Sequence, residues 1–466
     1  MNKSRSLTVL MLAMINVAAI CNIANLTFTA QHGFSSLFYY ILAAIMFFIP
    51  VGLISAELAT GWPERGGVYI WVREALGEKA GFVAIWLQWI ENVIWYPTIL
   101  SYAAATFAYS FKPELAANKF YILSAILIIY WSLTLINFLG MEISGWISTL
   151  CGIFGTILPG ALIITLGISW LAAGHVSQIS FSAQNLVPSL TNIDQLSVLV
   201  AVLLAFGGLE MSAVHAKEVI NPQKNYPKAI LLSTLLILTL LSLGALSIAV
   251  VVPKGQIAIA SGSIEAIRTA LDTFKLHWII PIVAVMMTIG SLGSISTWLV
   301  GPSKGLMVTA RHGELPPFLQ KMNKKSMPSA ILTAQAIIVT ILSMVYLFMP
   351  SVSSSYYILF YLAAQLYLLM YILMFISGIV LRYKYPNIKR SFKVPLGNVG
   401  MWITGSLGCI GAVFAIILGF FPPEHLSGKN IIFFEVFLFS GITLFTVIPL
   451  IIHHVRKPSW HLYKNE

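Results

Sequence analysis

Apolar stretches of roughly twenty residues, the length a helix needs to cross a hydrocarbon core, recur along almost the whole chain. We place them at about 8–28, 36–57, 82–110, 119–139, 143–172, 194–214, 229–252, 277–302, 328–348, 355–382, 398–421 and 430–453, twelve spans in all. Apolar residue types make up 58% of the 466 residues and charged types 9%, against about 25% charged in soluble domains. No soluble fold of this length could hide that much apolar surface, so lipid is the expected solvent and an all-α multi-pass membrane protein the expected fold class. The short basic stretch from Met1 to Ser6 leads into a full-length span with no small-residue cleavage site after it. It is therefore read as a retained first helix rather than a signal peptide.

The net charge of +11 is explained by where the bases sit. With the N-terminus in the cytoplasm, twenty-one of the 27 Lys and Arg residues fall in cytoplasmic segments, among them Arg65, Arg73, Lys304, Arg311, Arg382 and Arg456. Six (Lys112, Lys119, Lys254, Arg268, Lys275 and Lys429) fall outside. Basic residues favour the cytoplasmic side, which puts both termini there, in a bacterial-type inner membrane, and leaves no reason to invoke nucleic acid. Cys21, Cys151 and Cys409 lie in apolar segments, as free buried thiols would.

Two connections are too amphipathic for plain loops: 62–79 after span 2 and 263–274 after span 7. They occupy matching places if spans 6–10 repeat spans 1–5 upside down, a recurring transporter plan. The other reading is two unrelated surface helices.

Polar residues inside spans are costly and mark function by default. Glu210 follows Phe206-Gly207-Gly208-Leu209. Each glycine weakens a helix by about 1 kcal/mol, and a break at membrane depth is tolerated only where it is buried or lines a wet cavity. A carboxylate beside such a break fits a substrate or proton site; the plainer alternative is close helix packing at the glycines. Span 1 carries Asn16, Asn22 and Asn25 among Ala18, Ala19 and Ala24. Either that helix breaks near Ala18–Asn22 or its asparagines bond across a helix interface. In span 3, Gln88, Glu91, Asn92 and Trp95 share one helical face, and Glu91 either attracts a cation or serves as a structural hydrogen-bond partner. Span 8 aligns Gly290, Ser294, Thr297 and Gly301 with Trp298 beside them, and span 10 carries the i, i+4 pair Tyr367 and Tyr371; pocket walls and ordinary packing both remain open for these aromatics.

There is no His-Glu-x-x-His, no paired-cysteine metal spacing, no Gly-x-Ser-x-Gly and no phosphate loop. The expectation is a protein without cofactor or metal that is not an enzyme. A membrane sensor would need a signalling domain, and none is visible. Only His215 among the histidines stands near other polar candidates.

Phe206-Gly-Gly-Leu-Glu-Met-Ser-Ala213, followed by Glu218-Val-Ile-Asn-Pro-Gln-Lys-Asn-Tyr-Pro227, resembles helix 6 and its loop in the amino acid–polyamine–organocation (APC) superfamily. Together with Phe48-Ile-Pro-Val-Gly-Leu-Ile-Ser-Ala-Glu57, Gly66-Gly-Val-Tyr-Ile-Trp-Val72, Trp298-Leu-Val-Gly-Pro-Ser-Lys-Gly305 and Lys321-Met-Asn-Lys324, it is most similar to the bacterial glutamate/GABA antiporter group. The resemblance implies a five-plus-five inverted-repeat core over 1–383 (repeats about 8–172 and 194–383), with two added helices and a short tail over 384–466. It implies a secondary amino acid transporter, probable exchangers being the rule in that group, with a substrate site where helices 1 and 6 unwind. By matching motif the site residues are Ala18, Ala19, Asn22, Phe206, Gly207, Gly208, Trp298, Tyr367 and Tyr371, with Glu210 in proton coupling or sensing. Trp89-Ile-Glu-Asn92 resembles the helix 3 pocket stretch of arginine/agmatine antiporters, which adds Glu91 and Asn92. The implied partners are an amino acid or amine and the lipid bilayer, with a homodimer left open.

The chain departs from the group in three ways. The helix 1 Gly-Ser-Gly pattern is absent, Asn25 and Leu26 stand where the group has a Tyr-Glu pair, and the sequence stops at Glu466 without the long C-terminal tail, so that tail's acid gating is not expected. Glu91 disfavours a second carboxylate on the substrate. Sodium- or proton-coupled symport of an amino acid or polyamine is the alternative, with Ser294 and Thr297 available to a sodium ion.

Overall fold

The computed structural model describes residues 7–63, 66–139, 151–188, 196–212, 219–421 and 430–461, and these are overwhelmingly helical. The described β pairing is a single parallel bridge between Leu7 and Val219. Nine helices among the described residues are long and apolar enough to cross a membrane. The other three expected crossings escape a length-and-hydropathy criterion for physical reasons: two are interrupted in mid-span, and the third carries Glu78, Lys79 and Glu91.

The first crossing is split into α1 (Val9–Ile20) and α2 (Leu26–Ala30). The Thr8 hydroxyl caps α1 by accepting from the Met11 amide at 3.3 Å. Cys21 and Asn22 are then extended, and the Asn22 side chain caps the next turn by accepting from the Ala24 amide at 3.0 Å. An asparagine that caps its own chain does what glycine does elsewhere, ending one helical segment and starting another. Helix α3 (Gly33–Gly61) has a π-type turn at Ala44–Phe48 just before Pro50. The amphipathic connection folds as α4 (Val68–Leu76) between Gly67 and Gly77, both at positive φ.

Helix α5 (Glu78–Ala108) is almost wholly buried and forms the axis of the bundle. Both α12 (Ile280–Arg311) and α14 (Val352–Lys384) pack along it. Then come α6 (Lys119–Phe138) and α7 (Ile153–Ala172); the 143–150 part of the fifth expected span lies outside the described residues. The sixth crossing is split into α8 (Val198–Ala205) and α9 (Leu209–Ser212). Helix α10 (Pro222–Val251) packs on α1 and α7, and the second amphipathic connection folds as α11 (Gly262–Thr273). Helices α13 (Ser329–Phe348), α15 (Gly397–Leu418) and α16 (Asn430–Val455) complete the chain. Helix α16 presents Ile432, Val436, Phe439, Leu444 and Ile451 outward, as a lipid-facing helix does.

Two ionic clusters tie the helix ends together. Glu57, near the end of α3, is held by Arg382 of α14 through two hydrogen bonds of 2.5 and 2.6 Å, and it accepts the Val394 amide at 2.7 Å. Arg390 adds a contact at 3.4 Å and lies over the Trp62 ring. At the end of α16, buried Glu314 accepts from Arg456 and pairs with His453 at 2.7 Å, while Arg456 reaches Glu78 at 2.9 Å.

Candidate functional site

The two helix breaks face each other across α5, and the space between them is a cavity enclosing about 500 Å³. Its wall from α1 is Ile20, Cys21, Asn22 and Asn25. Helix α5 contributes Glu91, Asn92 and Trp95, the sixth crossing Leu204, Ala205 and Gly207, α12 Ser294 and Trp298, and α14 Tyr367. The helical spacing expected for Glu91, Asn92 and Trp95 thus carries all three into one wall.

At the sixth crossing Gly208 has φ +109°, a conformation that costs a side-chain-bearing residue strain. A Cβ there would meet the Trp298 ring at 2.9 Å, and one on Gly207 would meet Tyr367 at 2.8 Å, so both aromatics press directly on the break. The Phe206 and Gly207 amides still donate to carbonyls of the last turn of α8. The Gly208 amide donates to the Tyr371 hydroxyl at 2.7 Å. These three amides therefore have protein partners in this conformation.

Glu210 is 2% exposed and accepts three hydrogen bonds: from Tyr367 (2.5 Å) and Gln88 (3.0 Å) on one oxygen and from Tyr371 (2.5 Å) on the other. Tyr367 lines the cavity, whereas Glu210 and Gln88 line a second, larger space of about 1660 Å³ bounded by Trp62, Trp71, Gly301, Lys304 and Arg311. One hydrogen-bonded layer of side chains separates the cavity from this vestibule.

Glu91 is 4% exposed and accepts from Asn92 at 2.8 Å; the same Asn92 amide also donates to the Gln88 carbonyl at 2.9 Å. Among the described lining residues of the cavity there is no Lys or Arg. The polar lining is thus amides, hydroxyls and one carboxylate, a surface that complements an ammonium group better than a second carboxylate.

Of the residues singled out from sequence, Asn22, Glu91, Asn92, Gly207, Trp298 and Tyr367 lie in the cavity wall. Gly208, Glu210 and Tyr371 lie in the layer beneath. Phe206 is fully buried against Tyr40 and Phe48. Ala18 and Ala19 belong to the last turn of α1, and their side chains lie outside the described part of the structure, as do that of Thr297 and the whole of His215. Sequence reasoning did not single out Ile20, Cys21, Leu204 and Ala205. They line the cavity because each stands next to a break, where main chain rather than side-chain chemistry forms the wall. Gln335 was also missed: it accepts from Trp89 (2.9 Å) and Ser303 (3.0 Å) and donates to Tyr130 (2.7 Å), joining α5, α12, α13 and α6 behind the site.

The family profile described as amino acid permease matches residues 5–442. An uncharacterized transporter of Legionella pneumophila is 44% identical over 96% of this chain and 97% of its own length. A glutamate/gamma-aminobutyrate antiporter of Lactococcus lactis is 30% identical over 91% of this chain and 85% of its own. A probable agmatine/putrescine antiporter of the same species is 24% identical over 85% and 84%. With two interrupted helices around a polar cavity in a multi-pass helical bundle, and a match over nearly its whole length, the chain belongs to the amino acid permease family of the APC superfamily and is a membrane transporter rather than an enzyme.

Proposed function

We propose that this protein is a secondary transporter that exchanges small amino acids or amines across a bacterial inner membrane by alternating access, with both termini cytoplasmic. The observation that carries the reading is the cavity between the two helix breaks, with Glu91 buried in its wall and no described basic residue beside it. The substrate's amino and carboxylate groups bind main chain at the breaks. Glu91 and Asn92 meet the distal end and favour a neutral or cationic substrate over glutamate.

In this proposal the conformation is inward-facing. Glu210, Tyr367, Tyr371 and Gln88 form the closed inner layer, and protonation or release of Glu210 loosens it. The division into a core of 1–383, built as inverted repeats of 8–172 and 194–383, and added helices over 384–466 is part of the same reading. It is supported by split crossings in first place and amphipathic helices after the second crossing of each half. Substrates named for the relatives, glutamate with gamma-aminobutyrate and agmatine with putrescine, give the panel to test.

The experiment is competition for uptake into proteoliposomes, with sodium present or replaced by choline. Inhibition by cationic and neutral amino compounds, with weak inhibition by glutamate, is the expected result. Strong glutamate uptake that ignores cationic amino acids would overturn the substrate reading, and loss of uptake in choline would favour sodium symport through Ser294 on the cavity wall.

A further inference from the structure

The polar face of α5 does not end at Trp95. It continues at helical spacing through Tyr102, Thr106 and Tyr109 and runs beneath α11 on the side of the bundle away from the vestibule. Tyr102 and Thr106 are 1% and 0% exposed, and neither hydroxyl has a hydrogen-bond partner among the described residues, although Tyr102 lies beside both Thr106 and Ser263. Buried hydroxyls without partners are rare because they forfeit their bonds to water. Two of them on one face, under one short helix, point to a partner that arrives from elsewhere.

A carboxylate closes the group. Glu265 of α11 accepts from Tyr109 at 2.8 Å and from Ser261 at 3.0 Å, both on the same oxygen. Its other oxygen receives no hydrogen bond among the described residues. Arg268, one turn on, lies 5.9 Å over the Tyr109 ring and pairs with Asp272 at 3.5 Å rather than with Glu265. Ser263 donates to the Ile23 carbonyl at 3.1 Å. Ile23 sits between Asn22 and Asn25 of the cavity wall, so the group abuts the central site.

From this geometry we propose a second, outer station for a primary ammonium group, formed by Tyr102, Thr106, Ser263 and Glu265 and loaded when α11 lifts from α5. An ammonium has three donors and no acceptor. The free Glu265 oxygen and the unpartnered hydroxyls supply acceptors for all three, whereas an anion would meet Glu265. The proposal rests on the reading that the substrate carries an amino group, and it adds a place where that group is selected before it reaches Glu91.

The test replaces Thr106 by cysteine (T106C) and applies methanethiosulfonate reagents from the face opposite the vestibule, with the unsubstituted protein as the background. The expected result is faster modification by the cationic ethyltrimethylammonium reagent than by the anionic ethylsulfonate reagent, by about tenfold, with the preference erased by E265Q. Equal rates, or no reaction from that face, would overturn the station. A kinetic arm guards against a misfolded cysteine variant. Tyr102→Phe and E265Q should raise KM for agmatine or gamma-aminobutyrate entering from that face by about tenfold, leaving KM from the vestibule face unchanged. Equal changes on both faces would mean a structural role and overturn the proposal. A charge preference retained in a protein that carries no amine would sink the substrate reading and leave the station standing.

Discussion

Glu57 and Glu91 are both buried carboxylates on crossing helices, yet their surroundings assign them different work. Glu57 is enclosed by Arg382, the Val394 amide and Arg390, so its charge is fully matched. E57Q should lower stability by about 3–5 kcal/mol, because it leaves Arg382 buried without its partner; thermal unfolding in detergent measures this. Glu91 has the Asn92 amide and an open cavity. E91Q should leave the unfolding temperature nearly unchanged while shifting competition away from cationic compounds by about tenfold; an unchanged selectivity would remove Glu91 from substrate reading. The residues of the site were legible where a rule of spacing applied: Glu91, Asn92 and Trp95 by one helical face, Tyr367 and Tyr371 by their i, i+4 pairing. The hydrogen bonds that Gln88, Tyr367 and Tyr371 give Glu210 were not, because they join α5, α9 and α14 across more than a hundred residues of sequence, and spacing carries no information on such pairings.

The two interrupted crossings reach the same end by different chemistry. In the sixth crossing the break depends on a backbone conformation that glycine adopts readily. Gly208→Ala should cost about 1–3 kcal/mol through strain at positive φ, with the added Cβ pushing on Trp298; loss of uptake together with a lowered unfolding temperature is the expected pair of results. In the first crossing the break depends on a cap. Asn22→Leu removes the acceptor of the Ala24 amide and should cost about 1 kcal/mol, measured in the same way. This difference explains what the sequence disclosed. A glycine pair next to an acid announces an interruption, whereas an asparagine in lipid serves equally well as a cap or as a bond to a neighbour. Span 1 contains both, since Asn16 donates across to Ser233 at 3.2 Å. The amphipathic helices α4 and α11 were legible from their apolar periodicity, while the π-type turn at Ala44–Phe48 had no comparable signal beyond the nearby Pro50.

For the molecule as a whole, the spread of Lys and Arg predicts a sidedness that labelling can check. Single cysteines placed at Lys112 or Lys254 should react with an impermeant reagent from one face of the membrane, and cysteines placed at Lys324 or Lys389 from the other; mixed labelling would overturn the twelve-crossing topology. The cytoplasmic face would then hold both the vestibule mouth and the Glu314–Arg456–Glu78 cluster. The thinness of the layer under the cavity also has an electrical meaning. Where water penetrates to Glu210, the transmembrane voltage no longer falls evenly over the bilayer but concentrates across the few side chains that separate two aqueous compartments. A full unit charge crossing 100 mV is worth about 2.3 kcal/mol, so a proton or cationic cargo stepping past Glu210 would collect much of that energy within a few atomic diameters. Swapping cargoes of unequal charge should therefore be driven or stalled by membrane potential, even though no part of the protein moves far.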